Sequence, residues 1–335
     1  MNPDHYFSRF ASKGLGPNEV AAGRTGELQN TGGRKSLGVV DLRWYPAPVT
    51  RGGGQKPTIA VVGAGSLGSA MAVTLRAAGY RVAQIMSRER RLSRRRAESL
   101  ASQVGGSATG IDSFDHDVDL VWLCVPDREI RNCARLLASR GQWMGKIALH
   151  SSGVLTSEEL TVLRRRGAAV ASLHPMMTFV RGQPPALAGV PFAVEGDTLA
   201  VTTARRIARD LGGKAFSIRR ARKAAYHAWG SFASPLLISE LVTAERVAGE
   251  AGIRPSVARR LMLPILRQTV TNYARYGPAR AFSGPIIRGD AATLEKHVKI
   301  LQALPEAKGV YLALARSAVK NLPAKNRKQL LKILA

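Results

Sequence analysis

The segment Thr58-Ile-Ala-Val-Val-Gly63-Ala-Gly65-Ser-Leu-Gly68 decides the fold. Residues 58–62 are apolar and mostly β-branched, the composition of a strand buried on both faces, as in a parallel sheet. They run directly into Gly63-x-Gly65-x-x-Gly68, where each glycine has its own task. Gly63 permits a tight turn, Gly65 lets the backbone approach a pyrophosphate, and Gly68 lets the next helix sit close to the strand. Residues 69–78 carry a helical pattern, Gly79 stops it, and residues 81–86 form a second strand, which gives a βαβ order. The helix N-terminus adds free N–H groups and partial positive charge. The turn Gly63, Ala64, Gly65, Ser66, Leu67 and Gly68 is therefore expected to hold a dinucleotide.

Working outward, Ser87-Arg88-Glu89-Arg90-Arg91 falls where such a fold meets the adenosine ribose. An NAD site places a carboxylate there for the 2′-hydroxyl. Ser87 and Arg88, with Arg91 as a helper, offer a hydroxyl and a fork of donors suited to the 2′-phosphate of NADP, so NADP is favoured and NAD is less so. Residues 119–125 form another buried strand ended by Pro126-Asp127. Val125 and Pro126 would wall the nicotinamide half, and Asp127 would cap the following helix. Strands at 146–149 and 168–173 run into His150-Ser151-Ser152-Gly153 and His174-Pro175-Met176-Met177, at the edge where α/β sheets bind ligands. Two closing strands, 190–194 and 214–218, flank a helix at 198–211.

Beyond Arg219 the alternation stops. Helices are expected at 221–251, 255–276, 291–304 and 305–322, with a long turn at 277–289 and kinks or breaks at Pro235 and Pro264. The expected architecture is α/β, a doubly wound parallel sheet followed by an all-helical part. Residues 1–56 form a Gly-rich extension of disordered composition, 57–219 the nucleotide-binding domain, 220–323 the helical domain, and 324–335 a basic, frayed tail.

The chain has 335 residues, 45% hydrophobic, enough for two domains with proper cores. No apolar run reaches the roughly 20 residues that span a bilayer. Residues 1–10 lack an apolar signal segment, so a cytoplasmic location is expected. Cys124 and Cys133 are the only cysteines, and reduced thiols are expected. Fifty Lys and Arg against 23 Asp and Glu give a net charge of +27. Without a recognition-helix signature, zinc spacing or aromatic platform, that charge points to anionic cofactors or substrates rather than nucleic acid. No His, Cys or carboxylate spacing suggests a metal.

A nucleotide-binding half followed by a helical half resembles the superfamily of 6-phosphogluconate, β-hydroxyacid and prephenate dehydrogenases and ketopantoate reductase. Four motifs are more specific: Cys124-Val-Pro-Asp-Arg-Glu-Ile130, His150-Ser-Ser-Gly-Val-Leu155, Ser172-Leu-His-Pro-Met-Met-Thr-Phe179 and Gly284-Pro-Ile-Ile-Arg-Gly-Asp290. Together they look like a bacterial family of Rossmann-like proteins with a C-terminal domain of unknown function 2520. The resemblance spans about residues 57–322 and implies a fold, a cofactor and a homodimer; it supplies no reaction.

Leu173-His174-Pro175-Met176 is similar to the His-Pro segment of prephenate dehydrogenases, whose histidine bonds the hydroxyl being oxidised. This implies His174 as acid or base, matching the need for a group that titrates near neutral pH beside a carbinol or carbonyl, with Ser151 or Ser152 at the neighbouring substrate-hydroxyl position. A strand-capping role for His174 is the alternative. Lys223-x-x-x-His227 is similar to the Lys-x-x-x-Asn pair of β-hydroxyacid dehydrogenases, whose lysine is the proton donor, and the i, i+4 spacing puts both on one helix face. This implies Lys223, with His227, as catalytic groups; the alternative is a surface lysine beside a partly buried histidine. His227 departs from that pattern, and Pro235 stands where the closer family has Asn. Arg288 would clamp a substrate carboxylate or phosphate, with Asp290 orienting it or capping the next helix. His297 is a weaker candidate for the same cleft; His5 and His116 carry no signal.

The reading is an NADP-dependent oxidoreductase moving hydride between nicotinamide and a small polar or anionic carbonyl, imine or alcohol. The alternative is an NADP-binding sensor or scaffold without turnover.

Overall fold

The computed structural model describes residues 55–88, 91–180, 182 and 186–335, all within one compact unit. The expected extension at 1–56 lies almost wholly outside the described residues. The glycine turn is built between β1 (Ile59–Val62) and α1 (Ser66–Ala77). There follow β2 (Val82–Ser87), α2 (Arg91–Val104), β3 (Ser107–Gly110), β4 (Leu120–Leu123), α3 (Asp127–Ala138), β5 (Ile147–His150), α4 (Thr161–Arg164), β6 (Ala169–Pro175), β7 (Pro191–Gly196), α5 (Thr198–Asp210) and β8 (Lys214–Ser217).

These strands form one sheet in the order β3-β2-β1-β4-β5-β6-β7-β8. All pairs are parallel except β6 with β7. The fully buried, near-continuous apolar runs of β1 and β4 have the composition expected of central strands covered on both faces. Odd and even positions of β1 feed opposite layers: Ile59 and Val61 pack with Met71, Leu75 and Leu100, while Ala60 and Val62 pack with Ile130, Leu137 and Leu163. Because β2 and β4 flank β1, the strand order reverses there, the position at which open α/β sheets bind ligands beyond the carboxyl ends of their strands.

Two strand features depart from the expectation. β3 was not foreseen, because Ser107-Ala-Thr-Gly is short, half-exposed and lacks an apolar run. The reversed direction of β7 comes from the segment after β6, which returns to place the Met176 N–H on the Pro191 carbonyl at 2.8 Å.

The remainder is helical: α6 (Lys223–Ala233), α7 (Pro235–Glu250), α8 (Pro255–Ala281), α9 (Pro285–Arg288), α10 (Ala291–Ile300), α11 (Pro305–Asn321) and α12 (Arg327–Ile333). Pro235 breaks the first long helix as expected, with Ser234 driven to φ −135° and ψ −82°. Pro264 does not break α8. It is exposed, so the carbonyl it leaves unpaired can meet water, and the break falls at Gly277, where the turn was expected to begin, with a φ of 75° that suits a residue without Cβ. The frayed tail is also corrected: Leu330 and Leu334 are fully buried against Leu294, Ala315 and Val319, so the last residues dock as α12. By contrast α6, α7 and α8 expose many apolar side chains, among them Trp229, Phe232 (71% exposed), Ile238, Ile265 (67%) and Val270. No described helix is long and apolar enough to cross a membrane.

Candidate active site

The three glycines of the first turn differ in what a side chain would meet. At Gly63, with φ of 104°, a Cβ would lie 2.7 Å from the Cys124 carbonyl oxygen; at Gly68 it would lie 1.9 Å from the Gly63 carbonyl oxygen. Both are glycine because backbone occupies the space. At Gly65 a Cβ would meet nothing within 4 Å, and φ of −80° suits any residue. The fold does not require that glycine, so the open space above it is available to something else. Gly65 is also the N-cap of α1, makes no side-chain cap bond, and is followed by a first turn without acidic residues. The leading amides of α1 are thus left for an anion. Cys124 sits against Gly68, its thiol pushed up to about 12 by burial and hence inert.

At the end of β2, the Ser87 hydroxyl donates to the Arg88 carbonyl (3.2 Å), and the half-exposed Arg88 guanidinium reaches Glu129 on α3 at 3.5 Å. Arg91 is exposed at the start of α2. Val125 is half-buried and Pro126 is the N-cap of α3. Asp127 does not cap that helix; it lies inside the first turn, and its carboxylate accepts from the Ser152 hydroxyl at 2.8 Å.

β5 and β6 deliver the polar cluster. His150 is fully buried, with Nε2 2.9 Å from the Thr156 carbonyl and Nδ1 accepting from the Ser152 N–H at 3.1 Å. The carbonyl can only accept, so Nε2 carries the proton; burial, reinforced by the Lys223 charge, lowers the imidazole to about 3. The Ser151 hydroxyl accepts from the indole of Trp122 at 2.7 Å, beneath the cleft. The Ser152 hydroxyl, besides donating to Asp127, accepts from the Leu155 N–H at 2.9 Å. Next to them His174 places Nδ1 2.7 Å from the Tyr226 hydroxyl, and its ring centroid lies 6.1 Å from that of the exposed His227. A Cβ on Gly153 would collide with both imidazoles, 2.9 Å from His174 Nε2 and 2.5 Å from His227 Cδ2. Burial first, then the charges of Lys223 and His227, hold His174 down to about 4.

Lys223 points inward. Its ammonium is buried, donates to the Ser152 carbonyl (2.9 Å) and to the Ser172 hydroxyl, and lies 4.0 Å from Glu195. Burial lowers it to about 8, with Glu195 and Asp127 opposing. Glu195 in turn accepts from the Ser157 N–H (2.7 Å), the Ser157 hydroxyl (2.9 Å) and Arg220 (3.0 Å). Lys223 thus joins the turn after β5 to β6 and β7, while His227 stays at the rim; the residue sharing the inner face with Lys223 is Tyr226.

Arg288 is exposed, and Asp290 caps α10 by accepting from the Thr293 N–H at 3.0 Å. Both belong to the α9–α12 group, and among the described residues no hydrogen bond or ion pair ties them to His174. His297 bonds Tyr311 in the same group, at 3.0 Å. The sequence reading missed Tyr226, Glu129 and Glu195. The first sits three residues after Lys223, a helical neighbour, and the last is a lone carboxylate in the apolar strand Phe192-Ala-Val-Glu-Gly196, which signals a buried partner. Among the described residues, no group of three or more His, Cys, Asp or Glu side chains could hold a metal.

A mostly parallel sheet with a glycine turn at its order reversal, followed by helices, defines a Rossmann-like α/β fold with a helical C-terminal part. Within it, residues 47–175 match the Rossmann-like domain and residues 190–318 match the domain of unknown function 2520, so the chain carries both. No curated protein matches the chain by sequence. Among solved structures, a Bacteroides fragilis protein assigned provisionally as an NADP oxidoreductase is 20% identical, with TM-score 0.66, covering 78% of this chain and 97% of its own. A Thermotoga maritima protein is 24% identical, with TM-score 0.61, covering 83% and 98%. A reductive aminase from Aspergillus terreus in complex with NADPH4, cyclohexanone and allyl amine is 17% identical, with TM-score 0.56, covering 84% and 100%. At these identities the likeness is one of fold.

Proposed function

We propose that the protein is an NADP-dependent oxidoreductase acting on a small polar or anionic carbonyl, imine or alcohol. The observation that carries this is the unfilled approach over Gly65, above free helix amides, on the same sheet edge as His174. That cradle fits a dinucleotide pyrophosphate. Residues 63–68 would hold it, Val125 and Pro126 would flank it, and Ser87 with Arg88 would meet the 2′-phosphate, which would replace Glu129 as the partner of Arg88. When bound, the nicotinamide supplies or accepts the hydride. His174 addresses the oxygen or nitrogen of the reacting bond, with His227 beside it. Ser152 and Lys223 keep the two strand ends in register, and Arg288 is the proposed clamp for an anionic substrate, with Asp290 fixing its turn.

The apolar surface on α6, α7 and α8 supports a homodimer, since contiguous exposed apolar area of this kind marks interaction sites. A second reading, a sensor that binds NADP without turnover, is favoured by the full engagement of the Lys223 amine.

Thermal-shift measurement with NADPH and NADH, followed by NADPH consumption with panels of keto acids and imines, tests both. Saturation at 100 times Kd stabilises by about 2.7 kcal/mol, a rise of roughly 4 °C for a chain this size. Stabilisation with consumption supports the enzyme and stabilisation alone the sensor. Absence of any shift with either coenzyme removes both.

A further inference from the structure

We propose that Tyr226 is a positioning residue that holds His174 as the neutral imidazole with its proton on Nε2, facing the cleft. This rests on the reading above that His174 meets the substrate.

The Tyr226 hydroxyl lies 2.7 Å from Nδ1, with the two rings edge to face at 88°. Tyr226 is buried, and among the described residues its hydroxyl makes no other hydrogen bond. A buried phenolic proton needs an acceptor, and Nδ1 is the one within reach. A proton on Nδ1 instead would force the phenol to accept and leave its own proton facing nothing. The phenol therefore donates, Nδ1 accepts, and the imidazole proton sits on Nε2. His150 has the same tautomer for the same kind of reason, with a backbone carbonyl fixing Nε2–H and a backbone N–H occupying Nδ1.

The surroundings keep the ring neutral. The titratable groups packed about His174 are Lys223 and Tyr226 on the inner face of α6, His227 at its rim and His150 on β5; none is a carboxylate. Burial also pushes the Tyr226 phenol up, so it stays protonated and able to donate. Nε2 faces the space that Gly153 leaves free of a side chain. What His174 offers a carbonyl oxygen or imine nitrogen there is a hydrogen bond, a neutral electrophile polarising the bond, as opposed to an imidazolium that surrenders a proton.

The test is long-range 1H–15N correlation NMR on the full chain labelled with 15N-histidine, without substrate or coenzyme, using His174→Asn to assign the signal. The expected result is the Nε2–H tautomer for His174, with no titration between pH 8 and pH 5, and loss of that tautomer bias in Tyr226→Phe, which keeps the ring packing. A wild-type Nδ1–H tautomer, an imidazolium at neutral pH, or an unchanged tautomer in the Phe variant overturns the proposal. Should the Phe variant not fold, the wild-type spectrum still decides. Since no coenzyme is present, failure of the oxidoreductase reading would leave this result unaltered and is detected separately by the coenzyme shift.

Discussion

Replacing the second and third glycines of the turn separately should split folding from ligand binding. Gly65→Ala adds a methyl to a residue with φ of −80° and nothing within 4 Å. The main cost is a poorer N-cap, on the order of a few tenths of a kcal/mol, so Tm should move by only a degree or two. The same methyl occupies the approach proposed for the pyrophosphate, and NADPH stabilisation should disappear. Gly68→Ala is the reverse case. Alanine in a helix ordinarily gains about 0.5–1 kcal/mol over glycine, but here its Cβ would sit 1.9 Å from a backbone oxygen that has no rotamer to escape into. Overpacking of this kind costs about 1–3 kcal/mol or more, which outweighs the helical gain and lowers Tm by roughly 1–4 °C. Differential scanning fluorimetry of both variants, with and without NADPH, reads the contrast. A Gly65→Ala protein still stabilised by NADPH, or a Gly68→Ala protein as stable as wild type, would refute the assignment of roles.

Four further outcomes are expected. Arg88→Ala should weaken NADPH binding about 10–100-fold, the worth of a charge-assisted bond of about 1.5–3 kcal/mol, and leave NADH untouched in calorimetry; equal losses for both coenzymes would sink the 2′-phosphate role. Lys223→Met strips the cation from Ser152, Ser172 and Glu195 and should cost about 3–5 kcal/mol in urea unfolding; a change under about 1 kcal/mol would show the network to be incidental. Because His150 and His174 are held near 3 and 4 in the folded chain, the unfolded chain binds protons that the native one refuses once pH drops below 6.5. The histidine contribution to stability should therefore be fully present above pH 6.5 and decline toward pH 5, by up to about 1.4 kcal/mol per pH unit per histidine, and His150→Gln should reduce the slope; an unaltered slope contradicts the attribution. Light scattering on the wild type should give a dimer that Phe232→Asp dissociates, and a wild-type monomer would reject the apolar face as an interface.

The fold was legible where composition is one-sided. Buried strands such as β1 and β4 announce themselves by β-branched runs, and two glycines of the first turn, Gly63 and Gly68, have a steric duty that the structure displays. What escaped depends on partners distant in sequence. Nothing in Ser107-Ala-Thr-Gly identifies it as an edge strand until β2 is beside it. The i, i+4 spacing of Lys223 and His227 does not say which residue faces inward; that is settled by Ser152, Ser172 and Glu195, from 28 to 71 positions away. Asp127 looked like a helix cap because the Ser152 hydroxyl that claims it lies 25 residues on. Pro264 misled because its cost depends on whether water reaches the carbonyl it frees.

The inward Lys223 also bears on how the chain matures. The hydroxyl of Ser172 and the carboxylate of Glu195 belong to the sheet and the carbonyl of Ser152 to the turn that leaves β5, yet the cation that completes them arrives from beyond the last strand. A nascent polypeptide that has emerged only as far as residue 219 would hold a sheet whose edge is electrically unfinished. Severing the gene at the visible seam between strands and helices should therefore yield an ill-folded fragment, and extending that fragment through the first turns of α6 should rescue it.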